Sequence, residues 1–238
     1  GINGVLDRFG QVEPKVLFTA DGYFYGGKTL DSLGPIARVL ERLPSVRRVV
    51  VIPYVSTTPA IERLRDAESW QDFGEPGAAL TFQRLPFDHS LYVLYSSGTT
   101  GEPKGVMHST ATINAAVSGA IARMELTSDD VLFIAVTLGH AAEFLSGIYM
   151  PLLLGAKVVY MDLWDPTVAL SILESEGVTY GPAMPTYLFD LANHPNFAQS
   201  KIGSWKTARV SGGAISRSLM ASLQARLPEL RLLPGWGL

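Results

Sequence analysis

The densest chemistry in the chain lies in Tyr95-Ser96-Ser97-Gly98-Thr99-Thr100-Gly101-Glu102-Pro103-Lys104-Gly105. The hydroxyls of Ser96, Ser97, Thr99 and Thr100 are directional donors to phosphate oxygens, and Lys104 adds a mobile positive charge. Gly98, Gly101 and Gly105 let the backbone come close to a ligand and take positive φ. An apolar, β-prone run (residues 91–94) precedes the loop. The segment after it (residues 106–109) opens a helical pattern. Strand, glycine-hydroxyl loop and helix in that order would cradle a polyphosphate on backbone amides. The spacing is not that of the Walker loop, because here Pro103 precedes the lysine and Gly105 follows it. The same residue types also build ordinary polar surface turns, so it is the setting that favours phosphate.

Three further stretches could line a site. Thr137-Leu138-Gly139-His140-Ala141-Ala142-Glu143-Phe144 follows one expected strand and leads into an apolar helix. His140 fits either a helix-start residue bonded to backbone or a pocket group, and Phe144 fits pocket wall and core equally. In Val210-Ser211-Gly212-Gly213-Ala214-Ile215-Ser216, two glycines after a strand would let a flat ring lie against the main chain. A plain turn with Ser216 as N-cap is compatible with the same residues. Pro234-Gly235-Trp236-Gly237-Leu238 stands at the end of the sequence and carries little by itself.

Residues 96–105 resemble the phosphate-binding loop of the adenylate-forming enzymes, the family of acyl-CoA synthetases, luciferases and peptide-synthetase adenylation domains. The resemblance implies a reaction in which a carboxylate and ATP give an acyl-adenylate and pyrophosphate, with later transfer of the acyl group to a thiol in the CoA ligases. It implies that Ser96, Thr99, Thr100 and Lys104 hold the β- and γ-phosphates, with Ser97, Gly98 and Gly101 beside them. Lys104, Thr100 and His140 are then the catalytic candidates. His140 would border the acyl pocket and the route of the thiol, and Gly212, Gly213 and Ala214 would border adenine. Phe144, Trp236 and Gly237 would complete the acyl side. ATP, Mg²⁺ and CoA are the implied co-substrates, with a small carboxylic acid as partner. No residue of this sequence is put forward as a metal ligand. In the family the magnesium glutamate follows the aromatic-Gly-X unit that Trp236-Gly237-Leu238 resembles.

By the same resemblance, residues 1–238 correspond to the middle of the family's large AMP-binding N-terminal domain, cut at both ends, with the small C-terminal domain outside it. These residues alone are expected to adenylate little or nothing. Residues 4–18 and 85–89 resemble acetoacetyl-CoA synthetases. From His108 onward, residues 139–144 and 163–166 resemble ligases of medium-chain or alicyclic acids. Acetoacetate would need a hydrogen-bond partner, for which His140 or Ser211 could serve, whereas Ala141, Ala142 and Phe144 favour an apolar acid. A non-catalytic nucleotide-binding fragment is one alternative. Another is a peptide-synthetase adenylation domain, for which Glu143 is the candidate carboxylate. A phosphotransferase is disfavoured because no Asp-rich magnesium pair accompanies the loop.

Bulk properties narrow the class. With 238 residues, 47% of them hydrophobic, the chain can bury a substantial core as one large domain. A net charge of −3 is too small and of the wrong sign for a nucleic-acid binder. Without cysteine there are no disulfides or thiolate metal sites, which fits a cytoplasmic location. Residues 1–7 lack the basic and apolar regions of a signal peptide. The longest apolar stretch, residues 147–160, is too short and broken to span a bilayer. Oligomeric state is not legible.

These residues need a scaffold, and the pattern supplies one. Strands are expected at residues 15–20, 48–53, 130–136, 157–161, 178–180, 207–210 and 230–233. Helices are expected at 30–43, 112–124, 141–154, 166–176, 185–193 and 216–226, with a short helix at 60–66. Asp165 is the expected N-cap of the 166–176 helix and Gly177 lies just past its end, while Gly155 ends the 141–154 helix. The alternation predicts an α/β fold: doubly wound, largely parallel sheets with helices on both faces. Ligands in such sheets collect at the carboxyl ends of strands, where the glycine-hydroxyl loop and the His140 and Gly212 stretches fall.

Overall fold

The computed structural model describes residues 1–95 and 103–235. Ser96, Ser97, Gly98, Thr99, Thr100, Gly101 and Glu102 lie outside the described residues, as do Trp236, Gly237 and Leu238. Where one core was expected, the chain forms two compact units. The first comprises Gly1–Pro86 with Val93–Met107, the second Phe87–Tyr92 with His108–Leu238.

In the first unit, β1 (Val16–Ala20), α2 (Leu33–Arg42) and β4 (Arg48–Ile52) make the parallel crossover read from the sequence. A short strand, β5 (Ala67–Ser69), extends the sheet in the order β1-β4-β5. Leu33, Leu40, Leu17, Val49 and Val51 form the buried core, on which α1 (Ile2–Phe9) rests Ile2, Val5, Leu6 and Phe9. That helix was not expected, although its apolar residues recur at helical spacing. The expected helix 30–43 begins later, because Leu30 belongs to a hairpin of β2 (Gly22–Tyr25) and β3 (Lys28–Asp31). Its turn is Gly26-Gly27, both at positive φ (56° and 73°), as a tight hairpin turn demands. The expected helix at 60–66 is a single 3₁₀ turn, Ile61–Arg63.

Residues 106–109 do not open a helix. They form β7 (Gly105–Ser109), which pairs with β6 (Ser90–Tyr95). The helix α3 (Thr110–Met124) starts only at Ser109, whose hydroxyl accepts from the Thr112 amide at 3.3 Å. The Thr112 hydroxyl accepts from the Ser109 amide at 3.0 Å, closing a capping box.

The second unit is built on five parallel strands in the order β12-β11-β10-β8-β9. They are β8 (Val131–Ile134), β9 (Lys157–Tyr160), β10 (Tyr180–Ala183), β11 (Thr207–Val210) and β12 (Arg231–Pro234). β10 begins at Tyr180, the last residue of the expected 178–180 strand, and continues through Gly181 and Pro182, which stay in the sheet opposite Ala208 and Arg209. On one face α6 (Pro166–Ser175), α7 (Pro185–Asn193) and α8 (Arg217–Arg226) bury Leu170, Leu173, Leu188 and Leu223 against Phe133, Ala208 and Val210. On the other face α3 packs Ile113 and Val117 with Leu132 and Tyr180. The doubly wound expectation therefore holds here.

The expected helix 141–154 is continuous but not uniform. It runs as α4 (Ala141–Phe144), a π turn (Leu145–Tyr149) and α5 (Met150–Leu154), ending at Gly155 in the left-handed region. At Gly147 in the π turn a Cβ would come within 2.7 Å of Leu138 Cδ2 and 3.3 Å of Ile134 Cγ1, so any larger residue would require Leu138 to shift. Its carbonyl takes the Tyr160 hydroxyl at 2.5 Å.

Candidate active site

Within the second unit, a cavity of about 950 Å³ opens at the carboxyl ends of the parallel strands. β8 leads into it through Ala135, Val136 and Thr137, β9 through Asp162, Leu163 and Trp164, and β10 through Met184. β11 leads in through Ser211, Gly212, Gly213 and Ala214, and β12 through Gly235. The strand order reverses between β8 and β10, since β8 continues to β9 on one side and the chain then returns to β10 on the other. Such a switch point separates the loops and leaves a crevice.

Two sequence-predicted groups meet there: His140, and the glycine turn Gly212-Gly213-Ala214. Gly212 has φ +83°, a conformation that favours glycine. At Gly213 the nearest neighbour of an added Cβ is Pro185 Cγ at 3.6 Å, so the turn stays open toward the cavity. Ser216 is also the N-cap of α8, its hydroxyl accepting from the Leu219 amide at 3.2 Å, so both readings of this stretch hold. Phe144 is not among the cavity-lining residues; its ring packs edge-on against Tyr92 at 5.2 Å. Lys104 is exposed and belongs to the first unit.

Three charged or ionisable groups meet in the cavity wall. Glu143, on the first turn of α4, is buried. His140 stands 69% exposed, and its Nδ1 lies 2.6 Å from Glu143 Oε2. Arg209, on β11, brings Nη2 to 3.7 Å from Glu143 Oε1, an ion pair outside hydrogen-bond reach. Arg209 Nε and Nη2 are buried without a hydrogen bond of good geometry among the described residues, and the buried Tyr180 hydroxyl faces Ser146 and Arg209. Burial pushes that hydroxyl's pKa up, and the nearby Arg209 charge offsets part of the effect. Opposite, Trp164 and Tyr187 stack face to face, centroids 3.9 Å apart and planes 3° apart. Trp164 Nε1 donates to Asp190 at 2.9 Å, fixing the indole. Burial, then the Asp190 charge, raises the Tyr187 hydroxyl above its ordinary value.

Sequence reasoning missed Arg209 and the Trp164–Tyr187 pair. The signal for Arg209 was available: a lone arginine inside a four-residue strand immediately before the glycine turn. Nothing local paired Trp164 with Tyr187, which are joined only by the fold.

Among the described residues no group of three or more His, Asp or Glu could hold a metal ion. No described helix is long and apolar enough to cross a membrane.

A parallel, doubly wound unit with its cavity at the switch point and a glycine turn on its rim defines a nucleotide-binding α/β protein. The family described as "AMP-binding enzyme" matches residues 4–238, and the chain belongs to it. The acetoacetyl-CoA synthetase of Gallus gallus is 35% identical over 191 residues, 75% of this chain and 28% of that protein. The medium-chain fatty-acid–CoA ligase of Escherichia coli (strain K12) is 28% identical over 221 residues, 93% of this chain and 37% of that protein. Among solved structures, acetoacetyl-CoA synthetase from Streptomyces lividans superposes with a TM-score of 0.83 at 27% identity, covering 99% of this chain and 38% of that one. The two relatives resembled by different parts of the sequence are thus both found. The chain spans 28% to 38% of the length of these proteins.

Proposed function

We propose that the chain is the nucleotide- and acyl-binding part of an acid–CoA ligase. Such an enzyme activates a carboxylate with ATP as the acyl-adenylate and passes the acyl group to the thiol of CoA. The observation that carries this reading is the meeting of His140 with Gly212, Gly213 and Ala214 in one cavity at the sheet's switch point. The names of the relatives, an acetoacetyl-CoA synthetase and a medium-chain fatty-acid–CoA ligase, support it.

In this reading the glycine turn takes the flat adenine, and His140 borders the acyl group. Ser96, Thr99, Thr100 and Lys104 hold the β- and γ-phosphates. Donors oriented toward the phosphates would offset the charge that builds as the carboxylate attacks the α-phosphorus in line. The substrate carboxylate is the nucleophile, so no side-chain nucleophile is needed.

Arg209 in the cavity wall favours an acid that carries a second oxygen, such as a 3-oxo acid, over a plain alkanoate. A buried guanidinium with unmet donors is costly until an acceptor approaches. An amino acid is disfavoured, because the Glu143 carboxylate is already engaged by His140 and Arg209. Pyrophosphate release by the full-length protein, with ATP, CoA and acetoacetate, butanoate, octanoate or cyclohexanecarboxylate, tests the proposal. Release with acetoacetate above butanoate is expected. No release with any acid, alongside calorimetric binding of ATP, would leave a nucleotide-binding protein without ligase activity.

A further inference from the structure

A carboxylate buried on the first turn of an otherwise apolar helix start, Ala141-Ala142-Glu143-Phe144, needs a reason, because burying that charge is costly. A purely structural ion pair with Arg209 does not supply it. That contact is long, at 3.7 Å, and leaves Arg209 Nε and Nη2 without a hydrogen bond of good geometry among the described residues. The short contact, 2.6 Å, points from Glu143 to the exposed His140 ring on the cavity rim. A carboxylate only accepts hydrogen bonds, so Nδ1 carries the proton, and in the neutral ring Nε2 keeps its lone pair. Burial locks the Glu143 side chain, and Arg209 balances its charge.

We infer that Glu143 is a positioning residue that holds His140 in the Nδ1–H form, so that Nε2 takes the proton of the CoA thiol in the second half-reaction. This rests on the ligase reading above. The Nε2 lone pair accepts the S–H proton, and the bonding pair stays on sulfur. The thiolate adds to the acyl carbonyl carbon of the adenylate. The C–O bond to the phosphate then breaks and AMP leaves with that electron pair. The imidazolium is balanced by Glu143 and returns its proton to water, to which the ring is largely open. The other ionisable groups lining the cavity are Arg209 on β11, Asp162 after β9 and Tyr187 on α7.

The test has two arms. In the full-length protein with ¹⁵N-labelled histidine, long-range ¹H–¹⁵N spectra read the tautomer, and His140→Ala assigns the signal. Wild type and Glu143→Gln, which keeps an acceptor oxygen, are expected in the Nδ1–H form. Glu143→Ala is expected to relax toward the Nε2–H form that a free imidazole favours. An unchanged tautomer in Glu143→Ala overturns the inference. In the full-length protein, single-turnover rates separate adenylate formation from thioester formation. His140→Ala is expected to slow the thioester step about 10²-fold more than the adenylate step, in the range of general-base contributions. Glu143→Ala should slow it at least about tenfold more, and Glu143→Gln should recover part of that loss. The double variant should be no slower than His140→Ala, since the two act as a unit. Equal slowing of both steps, or additive losses, counts against the inference. If no adenylate forms at all, the ligase reading fails, and the tautomer arm still decides the role of Glu143.

Discussion

His140 and Gly212-Gly213 could be picked out in the sequence because each stands just after a strand, where α/β sheets bind ligands. What the sequence could not reveal was company. Glu143, three residues along, read as a possible amine-binding carboxylate until Arg209, from a strand far along the chain, was found beside it. Two predictions belong at this scale. On the proposed reading, Arg209→Leu in the full-length protein should shift preference from acetoacetate toward butanoate by tenfold or more, near the cost of about 1–3 kcal/mol for an unmet buried polar group. A competition assay between the two acids reads it, and an unchanged ratio removes Arg209 from recognition. Lys104→Ala should depress single-turnover adenylate formation about 10²-fold, as loss of an oriented charge does. An unchanged rate would remove Lys104 from phosphate binding.

Elements with strong local signals formed where expected. α7 matches to the residue, and α6 starts at Asp165, whose carboxylate accepts from the Thr167 and Val168 amides. Two failures, β7 and the start of α2, are short runs whose strand pairing, not their own period, decided them. β7 looked like a helix start because four residues show no period, and pairing with β6 decided them. Asp21 illustrates how a turn residue becomes an anchor. Read as the end of a strand, it is in fact buried and accepts amides of Tyr54, Val55 and Ser56 at 2.8, 3.0 and 2.9 Å. Burial opposes its charge, but the amide bonds from Val55, Tyr54 and Ser56 together outweigh this and hold the carboxyl below its ordinary value of 3.8. Asp21→Ala should destabilise the first unit by roughly 2 kcal/mol. Because the folded value is depressed, that contribution is full above the unfolded carboxyl value of about 3.9 and is lost as pH falls through the lower folded value. Urea midpoints of wild type and Asp21→Ala should therefore differ at pH 7 and converge in acid; a gap independent of pH contradicts the assignment.

At the scale of the whole molecule, composition indicated enough apolar residues for a large core but not their division into two. Each unit has its own buried centre, Val49 and Val51 in one, Leu132 and Leu188 in the other. Equilibrium unfolding is therefore expected to depart from two-state behaviour. Hydrogen exchange in urea should release β4 and β8 at different concentrations; coincident release would mean one cooperative body. Residues 1–238 alone, spanning 28% of the acetoacetyl-CoA synthetase relative, are expected to release little pyrophosphate with any acid. Turnover at 1–10³ s⁻¹, the usual enzyme range, would contradict this. The first unit also draws on two separate lengths of chain, Gly1–Pro86 and Val93–Met107, with Phe87–Tyr92 given to the second between them. During synthesis, then, the early unit can bury its core, complete by Ala67, once Pro86 leaves the ribosome. It receives its last segment only when Met107 has emerged, and a gene cut between those points would release a nascent domain lacking that segment.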